Sequence, residues 1–274
     1  MLRGRESTNI EDQRGMGGKT IALGGGGLGM IVVLILAVIC GLDPRQLLDS
    51  SQIQMPQQQQ QQQQRNPQSN DDQRKFVASV LGSTEDVWNQ VLPQQARTRY
   101  REPKLVLFDG QVNSACGVAG SSTGPFYCPG DEKLYLDFSF FRELRTQFQA
   151  PGDFAQAYVI AHEVGHHIQN ILGTMDQVQR AGNSNQLSVK LELQADCYAG
   201  VWAYYANKQG LIETGDYEEA IRAAGAVGDD NIQRKSQGYI VPDSFTHGSS
   251  RERMTWFSKG VQTGDMRQCN TFGR

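Results

Sequence analysis

His162-Glu163-Val164-Gly165-His166 constrains this chain more than any other stretch. On an α-helix, residues four apart share a face, so both histidines can offer ring nitrogens to one metal ion at roughly 2.0–2.1 Å. Glu163 projects to one side of that pair, where a carboxylate can take a proton from a water held by the metal. The flanking residues favour the helix that this geometry needs. Pro151-Gly152-Asp153 is a breaker followed by an N-cap candidate, and Phe154, Ala157, Tyr158, Ala161, Gly165 and Ile168 recur at helical spacing. Gly173 supplies a stop after Leu172. Gly165 weakens helix propensity, but its missing side chain lets a neighbouring element come close.

The spacing H-E-x-x-H is the zincin signature, and such a site needs a third protein ligand. A metzincin extension would place Gly and His where Gln169 and Leu172 stand, so that route fails. Gly173-Thr174-Met175-Asp176 is similar to an aspzincin element, with Asp176 as the ligand, although the Tyr-Gly that should follow is absent. The third route is Glu192-Leu193-Gln194-Ala195-Asp196, inside a segment of helix character from Leu187 to Tyr205. There Glu192 and Asp196 lie one turn apart, and Ala195, Ala199 and Ala203 permit a tight helix–helix approach. One acid would bind the metal; the other would accept a hydrogen bond from the far nitrogen of a ligand histidine. Taken alone, a Glu-x-x-x-Asp pair is an ordinary solvated helix face.

Glu-x-x-x-Asp downstream of His-Glu-x-x-His resembles the gluzincin arrangement. More closely, residues 73–274 resemble the bacterial putative neutral zinc metallopeptidase family. The likeness is carried by Ser114-Ala115-Cys116-Gly117, Gly124-Pro125-Phe126-Tyr127-Cys128-Pro129 and Tyr135-Leu136-Asp137-Phe138-Ser139-Phe140-Phe141. It continues through the His162 motif, Glu192 to Gly200, Gly228-Asp229-Asp230 and Phe245-Thr246-His247-Gly248, in that order. The resemblance implies one Zn2+ per chain on His162, His166 and Glu192, with Glu163 as general base. It implies a hydrolase acting on peptide or protein substrates, and an α+β zincin-like domain, mainly helical with a small sheet. Asp196 is expected to steady a ligand histidine. His247 lies in a Gly/Ser-rich loop well downstream, where gluzincins often hold a histidine that stabilises the oxyanion. His167 points about a third of a turn away from His166 and is expected to pack rather than to ligate.

The N-terminal region reads as an anchor and a tether. Ile21 to Leu42 carries no charge, and about 20 apolar residues suffice to span a bilayer. Arg3, Arg5, Arg14 and Lys19 precede it and only Arg45 follows before Arg65, so the positive-inside rule keeps residues 1–20 in the cytoplasm and the domain outside. The expected localisation is therefore the bacterial cell membrane, single-pass, with residues 43–72 as a disordered Gln-rich linker. Residues 73–274 remain for one domain with a substantial core.

A net charge of −3 with no basic stripe in the domain argues against a nucleic-acid partner. Apart from Cys40, the cysteines are Cys116, Cys128, Cys197 and Cys269, an even number that suits an oxidising compartment. Four cysteines permit three connectivities; Cys116 with Cys128 and Cys197 with Cys269 is the preferred one. A helix is expected to begin near Thr84-Glu85-Asp86, strands at Lys104 to Phe108 and Lys133 to Phe138, and further helix from Asp216 to Ala226. Leu134 to Phe138 is the candidate sheet edge for a bound peptide. The alternative function is a membrane-tethered zinc-binding scaffold that cleaves nothing; an intact Glu163 argues against it, because a scaffold needs no general base.

Overall fold

A computed structural model describes residues 4–15, 67–182 and 184–273. Residues 1–14 and 72–274 form one compact unit, and residues 15–71 cluster separately. The anchor expected at 21–42 and the linker as far as residue 66 lie outside the described residues. Among the described residues, no helix is long and apolar enough to cross a membrane.

The first element is a short strand, β1 (Ile10–Asp12), followed by the long helix α1 (Pro67–Ala96). Three expectations fail here. The helix begins well before Thr84, because Phe76, Val77, Val80, Leu81 and Trp88 extend one buried stripe toward the N-terminus. Residues 67–72, expected as linker, are consequently helical. Residues 4–14, expected as a separate cytoplasmic piece, join the domain instead, because β1 pairs with the domain's sheet.

β2 (Lys104–Phe108), the hairpin β3 (Gln111–Ser114) and β4 (Gly117–Gly120), β5 (Phe126–Cys128) and β6 (Lys133–Asp137) follow. The main sheet has the order β1-β2-β6-β5, with β1, β2 and β6 parallel and β5 antiparallel to β6. β2 and β6 bury nearly every side chain, as strands covered on both faces do. The candidate edge Leu134 to Phe138 is therefore interior, flanked by β2 and β5. A disulfide between Cys116 and Cys128 ties the hairpin to β5.

The helices that complete the fold are α2 (Ser139–Thr146), α3 (Asp153–Ile171), α4 (Thr174–Arg180), α5 (Asn185–Lys208), α6 (Asp216–Ala226), α7 (Asp229–Gln237) and α8 (Ser250–Thr263). The architecture is mixed α+β and mainly helical. α3 is the central helix, buried along almost its whole length, and it packs against α5 and α6. Gly173 follows it in the left-handed conformation at φ 74°, a backbone state in which glycine carries no steric cost. α8 starts with a capping box formed by Ser249 and Glu252 and packs along α5. A second disulfide joins Cys197 on α5 to Cys269 near the C-terminus, as preferred from the sequence.

The crossing of α5 and α8 is unusually close. A Cβ on Gly200 would run into the Phe257 carbonyl oxygen, and one on Gly260 would run into that of Cys197. Neither neighbour is a flexible side chain, so overpacking has no cheap relief. Gly200→Ala and Gly260→Ala should each cost about 1–3 kcal/mol of stability, read as a lowered midpoint in denaturant unfolding at unchanged slope.

Candidate metal centre

Three helices meet at the motif. α3 presents His162 and His166 on one face, α5 presents Glu192 and Asp196 one turn apart, and α8 brings Arg253 up behind them. Gly165 lets α3 and α5 meet: a Cβ there would lie 2.8 Å from the Ala195 carbonyl oxygen and 3.2 Å from the Ala195 Cβ. Any larger residue at 165 would hold α5, and Glu192 with it, away from the histidine pair.

The three side chains converge. His162 Nε2 lies 3.2 Å from Glu192 Oε2, and His166 Nε2 lies 3.4 Å from Glu192 Oε1. One donor atom from each residue falls within 4.8 Å of the others. Ligands at about 2.0–2.2 Å in a tetrahedron stand about 3.3–3.6 Å apart, so the spacing suits zinc. Both far ring nitrogens are engaged: His162 Nδ1–H donates to Asp196 Oδ1 at 2.8 Å, and His166 Nδ1–H to Gln169 Oε1 at 2.8 Å. With Nδ1 so occupied, Nε2 is in each ring the atom that faces Glu192 and that a metal would take once its proton is displaced. Asp176, the other route to a third ligand, is exposed on α4 and stands apart from this cluster.

The charges fit a dication as well. Glu163, Glu192 and Asp196 contribute three carboxylates, whereas Arg253 from α8 is the one guanidinium among them. Burial works against the charged form of Glu192, yet the two histidines hold its carboxyl well below the usual range. Burial would likewise lower His162, but Asp196 and Glu192 raise it to about 10. A pocket that draws protons onto imidazoles so strongly also favours a cation. Glu163 is pushed up chiefly by burial, with the neighbouring histidines pulling the other way. Its carboxylate makes no side-chain hydrogen bond to a described residue, which leaves it available to a ligand.

Sequence reasoning missed the support behind His162. Arg253 is buried, and its Nε donates to Asp196 Oδ2 at 2.8 Å and its Nη2 to Asp196 Oδ1 at 3.0 Å. Tyr158, one turn before His162, donates its hydroxyl to the same oxygen at 2.5 Å. Asp196 thus accepts from an arginine, a tyrosine and a histidine at once, a bidentate and charge-assisted arrangement that fixes its orientation. Gln169, whose presence rules out a metzincin site, has a part of its own. It orients His166 while its amide donates to the Leu191 carbonyl at 2.7 Å, so it also ties α3 to α5. A lone Arg or Gln in a helix carries no signal of such a role, since each acts across a helix–helix contact.

His167 packs, as expected. Its Nε2–H donates to the Arg101 carbonyl at 2.6 Å, and Nδ1 accepts from the Tyr127 hydroxyl at 3.0 Å. His247 stands in the loop before α8, half exposed, with Nδ1 3.1 Å from Asp229 Oδ1. The Asp229 carboxylate also accepts the backbone N–H groups of Thr246, His247 and Gly248, which holds the loop in shape. The Asp229 hydrogen bond raises the His247 pKa against the effect of burial, and Glu192 is near enough to add to the rise. Gly248 rests against Val189 and Leu193, so the loop lies along α5 on the Glu192 side.

The family described as "Putative neutral zinc metallopeptidase" matches residues 2–272. The chain belongs to this family. Its relatives include the uncharacterized protein YpfJ of Escherichia coli, 45% identical over 98% of this chain and 97% of its own length. An uncharacterized protein of Mycobacterium tuberculosis is 42% identical over 86% of this chain and 85% of its own length. No solved structure matches the chain. The family implies zinc, and the donor set above is suited to it.

Two outcomes test the assignment of the ligands. Glu192→Ala should abolish tight zinc binding, whereas Asp176→Ala should retain it, both measured as metal content of the purified protein. Asp196→Asn should keep the fold but weaken zinc affinity about 10- to 100-fold, the usual cost of losing a partner behind a ligand histidine. Equal affinity in that variant would remove Asp196 from its supporting role.

Proposed function

We propose that the protein is a zinc metallopeptidase that hydrolyses peptide bonds, with His162, His166 and Glu192 holding the metal and Glu163 acting as general base. The reading is supported above all by one observation: Nε2 of both histidines meets the two Glu192 oxygens at 3.2 and 3.4 Å, with Glu163 buried beside them. Zinc bound at such a centre lowers the pKa of a water to about 7 and polarises a carbonyl oxygen.

The chain's own residues supply the rest. Glu163 takes the proton of the attacking water and passes it to the departing amine. Burial raises its proton affinity above that of an ordinary glutamate, the direction that suits a group which first accepts and then donates a proton. His247, held by Asp229 through Nδ1, would offer its Nε2 to the negative charge that develops on the scissile carbonyl oxygen. Asp196, Arg253 and Tyr158 keep His162 in one tautomer and one orientation.

Glu163→Gln separates this reading from a non-catalytic zinc scaffold. The variant should bind zinc like the parent and lose nearly all hydrolysis of a peptide library; undiminished cleavage would end the general-base assignment. His247→Ala should lower turnover by about 10²–10³-fold with zinc content intact, the usual effect of removing one oxyanion donor. Loss of zinc in that variant would move His247 into the metal shell.

A further inference from the structure

The N-terminal arm, residues 4–14, is built into the domain at two places. On α1 it meets Glu85, whose side chain is 1% exposed. That carboxylate accepts from Ser7 Oγ at 2.5 Å, from Arg5 Nη2 at 2.7 Å and from Asn9 Nδ2 at 2.8 Å. All of these donors belong to the arm, so without it the domain would hold a buried carboxylate stripped of them. Gly82 serves the same contact. A Cβ there would collide with the Arg5 carbonyl oxygen, whereas the bare backbone lets the Ser7 N–H donate to the Ala78 carbonyl at 2.9 Å.

On the sheet, β1 runs in parallel register with β2, pairing Ile10 with Leu105 and Asp12 with Leu107. Backbone hydrogen bonds from Leu105 N to Asn9 O and from Gln13 N to Leu107 O extend the ladder at both ends, each at 2.8 Å. Glu11 then joins Lys104 and Lys133, both at 2.8 Å, across two strands of the domain. Parallel pairing with so many specific side-chain partners is an integral strand rather than a loose tail.

The chain therefore leaves this unit after Arg14 and returns to it at Asp72, so any membrane crossings in between must be even in number. Residues 21–42 form the one uncharged apolar run of that stretch. A helical crossing takes about 20 apolar residues and two crossings about 40, which this run cannot supply. Two of the four basic residues that suggested a cytoplasmic N-terminus have local partners: Arg5 pairs with Glu85 and Asp86, and Arg14 with Asp12. We infer that the N-terminal arm and the domain that carries the His162 site occupy one compartment, which a single membrane crossing between them would not allow.

The test needs the full-length chain and no substrate, so it stands apart from the peptidase reading. In a Cys40→Ser background, single cysteines are placed in separate variants at two exposed hydroxyl residues, Thr8→Cys in the arm and Ser236→Cys on α7. Spheroplasts are treated with a membrane-impermeant maleimide before and after lysis. Both positions should react before lysis, because the two disulfides suit an oxidising compartment. Reaction of both only after lysis would also uphold a shared compartment, and would place it in the cytoplasm. Reaction of one before lysis and the other only after it would overturn the inference and restore a single crossing. Retention of zinc content in both variants serves as the check that each has folded.

Discussion

The close crossing of α3 and α5 at Gly165 and Ala195 is the constraint on which the rest of the structure depends. Two histidines on one helix face define half a metal site, and the other half has to arrive from a second helix at a fixed depth. The absence of a side chain at 165 sets that depth, because the Ala195 backbone comes within 2.8 Å of where a Cβ would be. Gly165 gives up some helix propensity in isolation, roughly 1 kcal/mol relative to alanine. The burial of α3 on nearly every face compensates for it, since packing rather than propensity stabilises a core helix.

Depth alone does not orient ligands, and the second layer does that through charge. Asp196 is fully buried and would be costly there without partners. Arg253, Tyr158 and His162 satisfy it together, so removing any one leaves the remaining groups in low dielectric with an incomplete set. The arginine arrives on α8, whose own approach to α5 relies on paired glycines at 200 and 260. Cys197, next to Asp196, is bonded to Cys269, and Gln194 donates to the Cys269 carbonyl at 3.0 Å. The C-terminal segment is thereby fastened to the turn of α5 that bears the acids. A chain of helix contacts thus converges on one imidazole, and the loop that carries His247 is held to the same framework by Asp229.

The sheet has a quieter part. It backs α3 through β5 and Tyr127, whose hydroxyl bridges His167 and Asn170. His167 in turn holds the Arg101 carbonyl in the segment that leads into β2. The helix that carries His162 and His166 is consequently braced on its far side by the strands and on its near side by α5 and α8. The N-terminal arm completes the sheet at the edge away from β5.

Much of the centre was legible in the sequence because it is written in helical spacing. His162, Glu163 and His166 declare themselves through i, i+1 and i+4 positions, and Glu192 with Asp196 through i and i+4, all within single helices. The breaker before Asp153 and the stop at Gly173 were equally local, whereas the cysteine pairing, with Cys197 and Cys269 lying 72 residues apart, was a preference among three connectivities. Arg253, Tyr158 and Gln169 were not legible, since their partners lie on other helices or are set by the approach of those helices; Arg253 is 57 residues from Asp196. The strand β1 escaped notice because three residues have no usable period, and its pairing with β2 becomes apparent only once Glu85 and Gly82 are seen to receive the arm. The sheet order, with β6 inside and β5 outside, was likewise beyond the sequence, as strand adjacency follows from nonlocal hydrogen bonding. The sequence by itself determined which residues can ligate and on which helices they sit, because periodicity is a property of neighbours along the chain. The tertiary structure decided how close the helices come and which buried charges face one another, because those depend on contacts between segments far apart in sequence.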